Sequence, residues 1–234
     1  MLLALVRSCG ALLCVVTLIG CANNSYSPAY DSLKTLIATD GGQATIPDKP
    51  DLRFGYLRVQ VGSYPPGLLV LGYVDPHPAG EVEVWYSGNQ EALRLQNGRV
   101  VGVTGALHDW QSVGLSPVPP NWTELGTQPA RYERRRDVMP GYRYGVLEAM
   151  RVEALPGLPA TELLASLPQE KAQTYRWFRE SAEPLAGQPG NALPAAWFAW
   201  GRHRGVDTIV YSEQCLAPDF CLKLQRWPVL EEEP

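Results

Sequence analysis

Residues 81–104 read EVEVWYSGNQEALRLQNGRVVGVT. Apolar and polar residues alternate over 81–86, a second run spans 91–96, and an apolar-rich run follows at 99–104. A period of two marks a strand with one buried face. Ser87-Gly88-Asn89 and Asn97-Gly98 separate the runs. An Asn-Gly pair supplies the two left-handed residues that a two-residue hairpin requires, and it is the strongest short-range hairpin signal. Three strands joined by two tight turns predict an antiparallel meander.

The same period extends outward. Residues 54–61 alternate, Tyr64-Pro65-Pro66-Gly67 forms a turn, and 68–74 is a nearly continuous apolar strand, predicted to be central. The stretch 112–130 is Pro-rich and broken. Two extended runs follow, at 130–136 and 142–155, with Met139-Pro140-Gly141 as the turn between them. The second has helical composition, but Tyr142, Tyr144, Val146 and Glu148 share one strand face. Residues 156–168 read as a loop with a helical turn at 161–167, and 171–182 suits strand or helix. Residues 193–200 are aromatic and extended, 201–205 a turn, and 206–212 and 220–227 closing strands. Near the start, Leu33, Leu36 and Ile37 line one face of a short helix over 29–38, and 40–51 is Gly/Pro/Asp punctuation. The fold class that follows is all-β and mainly antiparallel, a sandwich or open barrel with a short N-terminal helix and few helical turns. No linker-like composition divides it, so 29–234 reads as a single domain.

The chain has 234 residues and a net charge of −4, and its charges are scattered. That excludes the basic footprint of a nucleic-acid binder. Arg7 precedes an apolar run over 11–19, which ends in Leu18-Ile19-Gly20-Cys21. A positive start, a short apolar region and a small residue before the cut mark a secretory signal. The cysteine directly after makes residues 18–21 resemble the lipobox of a bacterial lipoprotein. That resemblance implies a signal peptide over 1–20, a lipid on Cys21, and a flexible lipidated tether over 21–28. An ordinary cleaved signal or a membrane span are the alternatives, but the apolar run falls short of the ~20 residues a span needs. Ala22 stands where an aspartate would signal inner-membrane retention, which points to the outer membrane. Cys9 and Cys14 leave with the signal, so Cys215 and Cys221 remain as a pair in an oxidising compartment, where a disulfide is expected. So short a closed loop contributes about 2 kcal/mol.

Chemical signatures are sparse. His77, His108 and His203 show no metal-ligand spacing with one another or with cysteine or carboxylates. Neither a G-x-S-x-G elbow nor a phosphate-binding glycine motif is present, so no metal or cofactor is expected. Sequence does not pair carboxylates for glycosidase work. The basic run 131–136 reads as a solvated strand end, with contact to an acidic polysaccharide as the alternative. Seven Trp and eleven Tyr stand against four Phe. Rings with an apolar body and a polar handle favour half-wet surfaces. Trp85-Tyr86, Trp177-Phe178 and the run Trp197-Phe198-Ala199-Trp200 place neighbours on opposite strand faces, one for the core and one for a sugar or a partner.

The segment EALRLQNGRVVGVT followed by Gly105, with Arg94, Asn97, Gly98 and Arg99, resembles the hallmark of the YjbF/GfcB family of group 4 capsule and exopolysaccharide lipoproteins. Residues 205–214, Pro218 and Trp197 are similar to that family's closing strands. The resemblance implies a β-rich domain lipid-anchored at the periplasmic face of the outer membrane. It implies a non-enzymatic role in making or exporting surface polysaccharide, beside an outer-membrane export barrel and periplasmic export proteins. Candidate glycan or partner contacts are Trp85, Tyr86, Arg94, Arg99, Trp197 and Trp200, with Arg94 and Arg99 forming a cationic pair across the turn. Labelled palmitate is expected to enter the wild-type chain and to be absent from Cys21→Ser, as read by intact mass and autoradiography.

Overall fold

The computed structural model describes residues 51–88, 91–183 and 192–229. The signal segment 1–20, Cys21, the tether 21–28, the expected helix at 29–38 and the acidic tail at 231–233 lie outside the described residues. Twelve strands occur: β1 (Tyr56–Val61), β2 (Gly67–Asp75), β3 (Val82–Tyr86), β4 (Ala92–Gln96), β5 (Arg99–Thr104), β6 (Asp109–Ser116), β7 (Ala130–Met139), β8 (Arg143–Ala154), β9 (Arg176–Glu183), β10 (Ala196–His203), β11 (Val206–Ala217) and β12 (Phe220–Trp227). Among the described residues one short helix, α1 (Gln169–Gln173), precedes β9.

Every strand pairs antiparallel with its sequence neighbour, and β1 pairs with both β2 and β12, so the sheet closes into a barrel. The all-β antiparallel architecture expected from the sequence is the observed one, and ring closure removes the free edges. The thinnest seam joins β5 and β6 through the pair Val103–Trp110. The meander read from 81–104 is β3–β4–β5, with Trp85 opposite Leu93 and Leu93 opposite Val103.

Twelve strands enclose more space than strand side chains alone fill, since about eight already suffice for a packed interior. Two devices fill it. Inward aromatics supply bulk: Trp85, Trp110, Phe178 and Phe198 are each at most 2% exposed. Loop 117–129 adds Trp122 and Leu125, which pack among Tyr132, Met150, Val152, Phe178, Phe198 and Ile209. Full burial of each such side chain contributes roughly 1.5–3 kcal/mol. A separate cluster lies outside the ring. Segment 155–175 lays Leu164, Leu167 and Ala172 over Trp177, Ala199, Val210 and Tyr211. It is fastened by Thr161 donating to Glu213 and Ser166 donating to Gln225. The outward positions of β7, Arg131, Glu133 and Arg135, are exposed and charged. On this strand the outer face is therefore polar, unlike the apolar outer band of a membrane-spanning barrel.

Several local expectations are corrected. β6 falls in a stretch expected to be irregular; a bulge between Trp110 and Ser112 breaks the alternation, so the inward residues are Trp110, Val113 and Leu115. The helical turn expected at 161–167 is displaced to α1. Residues 171–182 split between the end of α1 and β9. The expected turn at 201–205 shrinks to Arg204 and Gly205, both left-handed at φ 53° and 76°, and β10 continues through His203. Cys215 and Cys221 are ladder partners in the β11–β12 hairpin and are joined as a disulfide.

Asn97 and Gly98 take φ of 50° and 77°. A Cβ on Gly98 would lie 2.6 Å from the Ile209 side chain. Gly98→Ala therefore combines left-handed strain with overpacking, and a loss of about 2–4 kcal/mol is expected in urea denaturation. Gly141, at φ 98° with open space around it, supplies the contrast. Gly141→Ala is expected to lose only about 1 kcal/mol.

Candidate functional site

The hallmark hairpin has an inner and an outer face, and they do different things. On the inner face its tip is clamped inside the barrel. Gln214 on β11 accepts from the Val100 amide at 2.9 Å and donates to the Gly98 carbonyl at 2.8 Å. The Trp122 indole donates to the Asn97 carbonyl at 2.9 Å. Arg99 Nε donates to Glu180 at 2.8 Å, both side chains being at most 5% exposed. The Arg99 guanidinium lies 3.9 Å from the Trp122 ring centroid, a cation–π contact strengthened by desolvation. Burial opposes the charge of Arg99, but Glu180 and Tyr132 outweigh it and hold the arginine's pKa above its ordinary value. Burial, then Glu180, pushes the Tyr132 hydroxyl well above the tyrosine range.

A second buried ion cluster continues this line. Arg134 Nε and Arg136 Nε both reach Glu148 Oε2, at 2.8 and 2.7 Å. The two guanidinia lie 5.2 and 4.9 Å from the Trp110 ring centroid. Burial would raise the Glu148 pKa, but the hydrogen bonds and charges of Arg136 and Arg134 hold it below its usual value. The run 131–136 is thus not a solvated strand end. It alternates, with Arg131 and Arg135 outside and Arg134 and Arg136 inside. A cavity of about 10 Å³ beside Arg134, Glu180, Trp110 and Gln214 has room for one water and none for a sugar.

Two sequence candidates are buried and a third, half-buried, faces inward. Trp85 is 1% exposed in the core, its indole donating to Glu83. Arg99 is buried as described. Trp200 faces inward against the Phe198 cluster. The expected cationic pair does not form, because a bulge after Arg94 offsets the two strands: Arg94 opposes Gly102 while Leu95 opposes Val100. Arg94 therefore sits on the outer face and Arg99 inside.

The outer face keeps Tyr86 and Arg94 and adds Tyr73, which the sequence reading did not single out. Tyr73 and Tyr86 are 49% and 40% exposed, with ring centroids 6.3 Å apart. A hydrogen bond with Tyr86 raises the Tyr73 hydroxyl pKa. Tyr86 lies over Gly72 and Arg94 over Gly102, where added Cβ atoms would come within 2.6 and 2.4 Å of them. Between them Val84, the ladder partner of both Tyr73 and Arg94, is 2% exposed. Trp197 is half-buried outside the ring, with the Arg179 guanidinium 5.8 Å from its ring centroid.

Among the described residues, no group of three or more His, Cys, Asp or Glu could hold a metal. His77 instead accepts from the Ala79 amide, and His108 packs on Phe220. Burial, then Arg226 and Arg204, lowers the His203 pKa to about 4. No helix among the described residues is long and apolar enough to cross a membrane.

A closed antiparallel barrel with its hallmark hairpin clamped inside defines a β-barrel protein whose organising segment is residues 91–105. The family model described as group 4 capsule polysaccharide lipoprotein GfcB, YjbF, matches residues 36–156, and the chain belongs to that family. A solved structure, the hypothetical lipoprotein YmcC from Escherichia coli (K12), is similar at a TM-score of 0.53 and 13% identity. The match covers 76% of this chain and 86% of that one, and it shows a shared fold. No curated protein matches the chain.

Removing Glu180 leaves Arg99 charged and unpaired in the interior. Glu180→Ala is expected to cost about 3–5 kcal/mol in chemical denaturation. Glu183→Ala, which breaks the exposed pair with Arg131 at 3.1 Å, is expected to leave the midpoint nearly unchanged.

Proposed function

We propose that the chain is a lipid-anchored accessory protein of capsule or exopolysaccharide assembly, held at the periplasmic face of the outer membrane through Cys21. In this reading it organises an outer-membrane export barrel and its periplasmic partners and performs no chemistry itself. The observation that carries the reading is membership of the capsule polysaccharide lipoprotein family over residues 36–156. The lipobox at 18–21 supports the anchor.

Topology supports a role in bridging. The described chain begins at the barrel end that holds the Asn97-Gly98 turn, where Arg204 donates to the Leu52 and Phe54 carbonyls. The opposite end carries the β7–β8 turn. There Tyr142 and Tyr144 are 72% and 68% exposed. Exposed tyrosines on a firm hairpin suit a protein contact.

Crosslinking and affinity purification of the acylated protein from membranes is expected to recover an outer-membrane polysaccharide-export component. Deleting the gene is expected to lower surface polysaccharide, and Cys21→Ser is expected to reproduce that loss. Recovery of no export component, together with unchanged surface polysaccharide, would sink the reading.

A further inference from the structure

We infer that the outer face of the β2–β5 meander is a binding platform for an acidic glycan, with Tyr73 and Tyr86 stacking on sugar rings and Arg94 pairing with a sugar carboxylate. This rests on the capsule-polysaccharide role proposed above and names where and how the polymer is touched.

The first support is the way the side chains are seated. Tyr86 and Arg94 occupy space that only glycine leaves open, at Gly72 and Gly102. Both lie close against the sheet, so little ordering cost remains for a ligand to meet. The second is an unmatched charge. Among the described residues Arg94 has no carboxylate within ion-pair distance. Other arginines such as Arg58 and Arg135 also lack an ion pair among the described residues, whereas Arg99, Arg134 and Arg136 inside the barrel are paired. Arg94 spends one Nη2 hydrogen bond on the Gln111 carbonyl at 3.1 Å. Its remaining donors stay available, in the planar fork that suits a carboxylate. The third is the pair of half-exposed phenols at 6.3 Å, which present ring faces with polar tips to solvent. Asp75, which acts electrostatically on Tyr73, is the acidic group at the rim. The cavity beside Glu180 has room for one water and none for a sugar.

The test uses the acylated full chain in detergent, titrated by calorimetry with a short oligouronide and with neutral dextran. Wild type is expected to bind the oligouronide and not dextran, with affinity falling as salt rises. Arg94→Gln is expected to weaken binding about tenfold or more, and Tyr86→Ala about fivefold. Gly102→Ala keeps every contacting group but displaces the Arg94 guanidinium, and it is expected to match Arg94→Gln. Melting temperatures within a few degrees of wild type would show that these variants fold. No binding by wild type, or equal binding by all three variants, overturns the platform. Loss of a co-purifying export protein from Arg94→Gln or Tyr86→Ala, with no oligouronide binding by wild type, would reassign the face to a protein partner. Failure here with partner recovery intact removes the platform and leaves the proposed function standing.

Discussion

A single backbone residue in the left-handed region, Gly98, pressed against Ile209, sets the interior of this protein. Only glycine fits there, for two separate reasons: its φ is positive and its missing side chain is replaced by Ile209. The turn it forms with Asn97 would ordinarily be a surface hairpin. Here its carbonyls and the Val100 amide are taken up by Trp122 and Gln214. Segments from three distant parts of the chain therefore meet at one tip, and loop 117–129 is anchored by the same contacts.

The charges around that tip explain how a barrel this wide keeps one register. Buried ion pairs add little stability over hydrocarbon of equal volume, but a missing member is costly. If β7 slipped by one residue, Arg135 would enter the interior and Arg134 and Arg136 would leave it. Glu148 would then lose both its partners. Two tryptophans, Trp110 and Trp122, receive the guanidinium faces and so make the arginines compatible with an aromatic core.

The meander over 81–104 was legible because its alternation and its Asn-Gly turn are both local properties. The hairpin pairing of Cys215 with Cys221 agreed with reasoning from compartment. The burial of Arg99 was not legible, because it depends on a bulge after Arg94 and on Glu180, which lies 81 positions away. Arg134 and Arg136 were misjudged for a related reason: an arginine-rich run looks solvated unless the opposing strand is known to carry Glu148. Strand β6 escaped because a bulge shifted its inward residues out of period two. Tyr73 was overlooked since it stands in a nearly all-apolar run, where no alternation marks the residue that faces outward. Its value appears only once Gly72 is seen to make room for Tyr86.

Closure of the ring has a consequence for how copies of a lipoprotein of this family can lie side by side. A sheet with open sides invites neighbours to extend it strand by strand, and tethering many copies to a two-dimensional surface would multiply that hazard. With β1 already zipped to β12 and only the β5–β6 seam thinly paired, the described sheet offers little template for such growth. Contact with the described barrel then falls mainly to side chains and loops rather than to ladder completion.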